Sequence, residues 1–242
     1  MATLFVSDIH LHGGVTPLGE AFVGFLQGPA SEAEALYILG DLFDYWIGDA
    51  EGLQDHARVV AALAVLTQAG VPVYFQHGNR DFMVGRDFAE LSGVQLLRDP
   101  LVVDLYGTPT LLSHGDIWCT DDVAYQRWRR FSRRPLAQAA YRALPASLRL
   151  RIAGDLRGRS GQKQDMQRDI MDVNEGAVRE AFARHGVTRM IHGHTHRPSA
   201  HRYRVGEHAR ERLVLADWRP DHLEYLSVDP HGIRRVRLPA TG

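Results

Sequence analysis

The chain has 242 residues, 45% of them apolar and 24% charged, proportions of a globular protein long enough to bury most of the surface its unfolded form exposes. A single cysteine, Cys119, excludes both an internal disulfide framework and a cysteine zinc cluster and points to a reducing compartment; no stretch approaches the roughly 20 apolar residues of a membrane span, and no export leader is read at the N-terminus. The formal net charge of -1 conceals a division, since residues 1–126 carry 17 acidic and 4 basic residues whereas residues 127–168 carry 2 acidic and 12 basic, all arginine except Lys163.

Along the chain, the short runs Leu4–Val6, Ala35–Leu39, Val71–Phe75, Thr110–Leu112 and Arg189–Ile191 are apolar, bounded by Gly, Asp or His, and predict buried strands. Between the first three lie two predicted helices, Leu18–Leu26 and His56–Ala69, the second stopping at Gly70 before Pro72. Strands alternating with helices predict an α/β fold with a largely parallel sheet covered on both faces. From Thr120 to about Asp169 the alternation breaks. Thr120 is the expected N-cap, Arg133-Arg134-Pro135 the expected end of a first helix, and Pro145 and Gly158 the breaks between three or four short helices. This basic and apolar block reads as a helical insertion, about 120–169, within one domain spanning 1–242. Beyond it, Asp172-Val173-Asn174-Glu175 reads as a capping box for a helix ending at His185-Gly186. Arg212–Ala216, His222–Val228 and Arg234–Leu238 then alternate as antiparallel strands of a second sheet.

Five motifs follow strand-like runs: Asp8-Ile9-His10, Gly40-Asp41, Gly78-Asn79, His114-Gly115-Asp116 and Gly193-His194-Thr195-His196. One alone would be a loop cap. Five in series, at the carboxyl ends of strands where ligands gather in such sheets, supply oxygen and imidazole ligands enough for two metal ions. Without thiolate the set suits Mn²⁺, Fe or Zn²⁺ in a reactive rather than a structural role. Two cations bracket an in-line displacement and acidify a water, so no side-chain nucleophile is required, and the reaction class is hydrolysis of a phosphoester or phosphoanhydride. His77, His192 and Asp116 are candidates for orienting ligands through hydrogen bonds. The histidines outside the motifs, His56 among them, are expected to be solvent-exposed or locally bonded.

In this order D-x-H, G-D, G-N, H and G-H-x-H resemble the calcineurin-like metallophosphoesterase superfamily, which implies a β-sandwich flanked by helices and a dinuclear centre. On that pattern Asp8, His10, Asp41 and His196 surround one cation, and Asp41, Asn79, His114 and His194 the other, with Asp41 shared. A narrower resemblance rests on Leu36-Tyr37-Ile38-Leu39-Gly40-Asp41-Leu42-Phe43 with Trp46-Ile47-Gly48-Asp49, His77-Gly78-Asn79-Arg80-Asp81-Phe82, Cys119-Thr120-Asp121-Asp122, Ile170-Met171-Asp172-Val173-Asn174 and Ile191-His192-Gly193-His194-Thr195-His196-Arg197-Pro198. These resemble the UDP-2,3-diacylglucosamine hydrolase family over about residues 3–200. The resemblance implies cleavage of UDP-2,3-diacylglucosamine to UMP and 2,3-diacylglucosamine 1-phosphate in lipid A biosynthesis of Gram-negative bacteria. It implies two Mn²⁺ ions per chain and a cytoplasmic protein peripherally associated with the inner membrane. No nucleic-acid partner is expected, and the oligomeric state stays open.

The catalytic set carried over is Asp8, His10, Asp41, Asn79, Arg80 and His114. Substrate contacts carry over to Asn79, Arg80, Asp122, Ser160 and His194, with Tyr125 near the nucleotide and Arg157 near a phosphate. Between Ser160 and Ile170 the chain is one residue shorter than the family pattern, so the polar contacts there fall on Lys163, Gln164 or Gln167. Arg80 is the discriminating residue. Many superfamily members carry G-N-H-[DE], whose His is a candidate general acid, and arginine cannot fill that role at neutral pH. A pyrophosphate needs little such help, because the departing sugar 1-phosphate is already a stable anion. Arg80 instead suits a phosphate and the charge that develops on it; the alternative is a surface ion pair with Asp81 or Asp87. The insertion would house the acyl chains, each buried methylene contributing roughly 0.8 kcal/mol, and turn arginines to the diphosphate and to anionic lipid heads.

Overall fold

A computed structural model describes residues 1–166 and 172–240, apart from the side chains at 157 and 159–166. In chain order β1 (Thr3–Val6), α1 (Pro17–Gln27), β2 (Ala35–Leu39), α2 (Asp49–Asp55), α3 (Ala57–Gln68), β3 (Val73–Gln76), α4 (Arg86–Ser92) and β4 (Gln95–Leu97) lead to the hairpin of β5 (Leu101–Leu105) and β6 (Thr108–Ser113). Then come α5 (Val123–Ser132), α6 (Pro135–Arg142), α7 (Ala146–Met166), α8 (Glu175–His185), β7 (Arg189–His192), β8 (Ser199–Val205), β9 (His208–Val214), β10 (Leu223–Asp229) and β11 (Gly232–Leu238).

Two mixed sheets result, ordered β11-β10-β1-β2-β3-β4 and β5-β6-β7-β9-β8. Strands β1 to β4 are parallel, as are β6, β7 and β9, with antiparallel strands at the margins. The period-two geometry of a strand assigns the apolar residues to layers. Leu4 and Val6 of β1 and Leu36 and Ile38 of β2 pack under Phe22 of α1, Leu63 of α3 and Phe88 of α4. Phe5 and Leu39 point the other way, onto Leu112, Ile191 and Leu213 of the second sheet. That sheet's outer face is covered by Val178 and Phe182 of α8. The arrangement is a β-sandwich between helical layers. Strands buried on both faces explain why β1, β2 and β3 read as continuous apolar runs.

Local sequence sets the helix ends. Thr16 caps α1 by accepting from Gly19 N, with Pro17 at its first position, and Asn174 caps α8, which ends on left-handed Gly186. Four expectations are corrected. Asp122, not Thr120, is the N-cap of α5, its carboxylate accepting from Tyr125 N at 2.9 Å, and the α8 cap is this single Asn, Asp172 instead binding Arg197. Gly158 does not divide the insertion, because α7 runs unbroken from Ala146 to Met166; a helical glycine costs only about 1 kcal/mol. The C-terminal strands do not share one sheet: β9 joins β7, while β10 and β11 extend the first sheet through β1. Alternation fixes which face of a strand is buried and leaves its neighbour open.

Helices α5 to α7 sit between the fourth and fifth motifs. Arg149 of α7 is buried and donates to Ile47 O, to Leu144 O and to the Glu51 carboxylate, fastening α7 to the body. Among the described residues no helix is long and apolar enough to cross a membrane.

Candidate metal centre

The loops leaving β1, β2 and β3 in one sheet and β6 and β7 in the other converge on one cleft. Six non-glycine residues among those described have positive φ, and five of them are Asp8, His10, Asp41, His194 and His196. Left-handed backbone is costly for such residues and collects where a site dictates side-chain direction. The glycines of the motifs allow the loops to touch. A Cβ on Gly78 would lie 2.0 Å from Asp41 Oδ1, and one on Gly193 would lie 2.2 Å from Asp8 Oδ2.

The donor atoms meet at ligand spacing. His196 Nε2 stands 3.3 Å from His10 Nε2 and 3.3 Å from Asp8 Oδ1. His114 Nε2 stands 2.9 Å from Asn79 Oδ1 and 3.2 Å from His194 Nδ1. Asp41 Oδ2 faces both groups, 4.0 Å from His10 Nε2 and 3.7 Å from His114 Nε2. Two ligands each about 2.1 Å from a common ion are separated by comparable distances. The second oxygens are occupied by protein donors: Ser7 Oγ and His194 N donate to Asp8 Oδ2, and Arg80 N donates to Asp41 Oδ1. Asp8 Oδ1 is buried without a hydrogen bond, an arrangement that suits a cation. His114 Nδ1 donates to Leu39 O at 2.9 Å, which turns Nε2 into the cleft. His196 turns Nδ1 toward Asp217 Oδ2, 3.7 Å away.

Charge favours the same occupant. Burial pushes His10 down to about 3 and His194 down to about 4, so both rings are neutral lone-pair donors at pH 7. Burial opposes ionisation of Asp8, yet His196, His114 and His10 beside it hold its carboxyl below the usual carboxylate range. Burial would likewise lower His114, but Asp41, Asp8 and Asp116 raise it to about 9. Carboxylates converging with imidazoles and an amide, without thiolate, form a donor set for a divalent cation of the Mn²⁺, Fe or Zn²⁺ kind.

Around this centre the remaining candidates take distinct places. Arg80 lines a cavity of ≈ 180 Å³ together with Asn79, Trp46, Phe82, Trp128 and Phe131, so metal cleft and apolar cavity share a wall. Arg80 forms no ion pair among the described residues. Asp81 is instead fully buried and accepts from Gly78 N, Leu42 N and Phe43 N, joining the second and third ligand loops. Asp116 does not bond His114. Its carboxylate is taken by Tyr125 OH and Arg129 Nε, with Arg133 at 3.5 Å. The Tyr125 ring lies over His194, centroids 6.4 Å apart. His192 is buried, donates from Nδ1 to Gly193 O and meets Arg212 with Nε2. His77 bonds Val84 O and ties down the loop after β3. The side chains of Arg157, Ser160, Lys163 and Gln164, and all of Gln167, lie outside the described residues. The sequence offered Asp81 only as an ion-pair partner for Arg80 and Arg133 only as a helix end, and nothing for Asp217. Asp81 sat in view within Gly78-Asn79-Arg80-Asp81, whereas Asp217 and Arg133 carry no local signal.

The calcineurin-like phosphoesterase family matches residues 1–198, and the sandwich with its ligand loops belongs to that class of metallophosphoesterases. A protein of Nitrosococcus oceani named UDP-2,3-diacylglucosamine hydrolase is 51% identical over 219 residues, covering 90% of this chain and 88% of its own. One of the same name from Serratia proteamaculans is 47% identical over 242 residues, covering 99% and 100%, and one from Stenotrophomonas maltophilia is 45% identical over 226 residues, covering 90% and 91%. The chain belongs to the UDP-2,3-diacylglucosamine hydrolase family.

Proposed function

We propose that the chain hydrolyses the pyrophosphate bond of UDP-2,3-diacylglucosamine, releasing UMP and 2,3-diacylglucosamine 1-phosphate for lipid A biosynthesis. The observation that carries this reading is Arg80, set between the ligand cleft and an apolar cavity in a chain whose relatives bear that name. Asp8, His10, Asp41 and His196 would hold one Mn²⁺, and Asp41, Asn79, His114 and His194 a second. When bound, such a pair supplies Lewis acidity toward phosphorus and lowers the pKa of a water. The protein's own part is orientation and charge. Asp41 is fixed through Oδ1 by Arg80 N, which sets the Arg80 backbone at the cleft, and the Arg80 side chain lines the cavity beside it. There it would grip the diphosphate and stabilise charge on the departing phosphate, a role requiring no proton. Asp122, Tyr125 and the residues around 157–164 would complete the polar contacts.

Residues 1–242 act as one domain on this reading, with the 120–169 insertion as its cap. Trp128, Phe131 and Ile152 would bury acyl chain. The insertion's outer surface combines exposed Leu136, Leu148 and Leu150 with exposed Arg127, Arg130, Arg134 and Arg142. Apolar groups among arginines suit the anionic cytoplasmic face of the inner membrane, with the protein attached peripherally. Salt-sensitive binding to anionic vesicles is expected, and its absence would remove the membrane part of the proposal.

The direct test is incubation with Mn²⁺ and UDP-2,3-diacylglucosamine, which should yield UMP. No UMP from metal-loaded protein would overturn the substrate assignment. Asp41→Ala and Arg80→Ala should each lower turnover by about 100-fold or more, and only the first should lower bound metal.

A further inference from the structure

Gly78 cannot carry a side chain, because Asp41 occupies the space, and a glycine leaves the following peptide plane free to rotate. That plane leads into Asn79 and Arg80, so its freedom must be removed from outside. Side chains hold the planes on both sides of Gly78, Asp81 that of the preceding His77–Gly78 peptide and Arg133 the following one. Asp81 Oδ1 accepts from Gly78 N at 2.8 Å, and Arg133 Nη2 donates to Gly78 O at 2.8 Å.

Arg133 comes from the end of α5 and follows Tyr125 and Arg129 at intervals of four, which puts all three on one helix face. Tyr125 and Arg129 are bonded to Asp116, and Arg129 Nη2 also donates to Asp99 Oδ2 at 3.0 Å. The Arg133 guanidinium lies over the Phe82 ring, 5.6 Å from its centroid. Its direction is therefore set from the side as well as from the end.

We infer that Arg133 is a positioning residue for the Gly78–Asn79 peptide, holding the Asn79 amide in line with His114 and His194 and the Arg80 backbone against Asp41. Because a peptide is planar, fixing the Gly78 carbonyl fixes the direction in which Asn79 departs. The inference rests on the two-cation reading of the centre. An outer partner of a ligand loop commonly changes metal affinity or activity by about 10- to 100-fold, and that range sets the expectation.

The experiment is calorimetric Mn²⁺ titration of chelator-stripped protein, with kcat and KM measured on the loaded enzyme. Wild type is compared with Arg133→Met, Arg133→Lys and Arg129→Met. Arg133→Met should weaken one of two cation sites and lower kcat, each by about 10- to 100-fold, with KM held within about threefold. Arg133→Lys keeps a donor and should recover part of both losses; it takes the place of Arg133→Met should the latter not fold. Arg129→Met removes a stronger Asp116 contact without touching Gly78 O, so it should lower the melting temperature at least as much while disturbing cation binding less. Wild-type titration and turnover in Arg133→Met would overturn the role. An equal loss of the same cation site in Arg129→Met would overturn it too, by assigning the effect to Asp116. Fewer than two sites in wild type would instead remove the two-cation reading.

Discussion

Asp8, His10, Asp41, His194 and His196 hold φ between 52° and 70°, a conformation costing roughly 1–2 kcal/mol at each non-glycine residue. The cost is tolerated because each loop is held at more than one point, as Asp8 is by Ser7 and His194. The chemical types of these residues were legible in the sequence, since short polar motifs after apolar runs stand out. Their backbone state was not, and neither was Asp217, whose approach to His196 depends on β9 and β10. His56 shows the same blindness: expected to be solvent-exposed or locally bonded, it is 4% exposed and packed on Phe43 and Trp46. Burial, then the charge of His12, pushes its pKa from 6.5 down to about 4. Above pH 6.5 the ring is neutral in both folded and unfolded chains; below it the unfolded chain takes up the proton first. Stability therefore falls as pH drops from 6.5 toward 4, by up to about 2–3 kcal/mol from this group. Urea unfolding at pH 7.5 and pH 4.5 should show a smaller acid loss in His56→Phe than in wild type, and equal losses would refute the assignment.

In the basic block the helix breaks at Pro135 and Pro145 were legible, because proline does not continue the helix before it. The work of its arginines was not, because the partners that tie them to the body lie far along the chain: Arg133 reaches Gly78, and Arg149 reaches Ile47 and Glu51. Some of the excess positive charge is thus internal wiring between cap and body, while Arg127, Arg130, Arg134 and Arg142 face solvent. Removing the buried guanidinium in Arg149→Met should destabilise the protein by about 3 kcal/mol, measurable by urea unfolding. Since α7 also carries Ile152 and Leu156 into the cavity wall, KM should rise more than kcat falls. The reverse pattern would mean that α7 does not shape the cavity.

At the scale of the whole molecule the donors are divided between the sheets. Asp8, Asp41 and Asn79 leave strands of the first, and His114, His194 and His196 leave strands of the second. A bound cation would therefore fasten the two layers together, and its affinity would add to global stability. At a hundredfold excess over Kd that linkage is worth about 2.7 kcal/mol per site. For a chain of this size it should raise the melting temperature by about 5–10 °C, and chelation should reverse it. An unchanged melting curve after chelation would separate the centre from the sandwich. The sandwich was only half legible: β1, β2, β3, β6 and β7 declared themselves through continuous apolar runs, while β4, β5 and β8 carried too weak a pattern to be read.

The pairing of β1 with β10 has a consequence for biosynthesis. Thr3 to Phe5 lie against Leu226 to Val228, so more than 200 residues emerge from the ribosome before the free side of β1 finds its partner. All seven expected ligands have been made by His196, yet the first of their loops still hangs from an unpaired strand. An open strand of this kind invites association with other chains. Removing residues 219–242, which spares every ligand, should give insoluble protein; a soluble, metal-binding product would show that the first sheet closes without its last strands. Nascent chains are accordingly most exposed to aggregation late, after the chemistry is complete in sequence and before it exists in space.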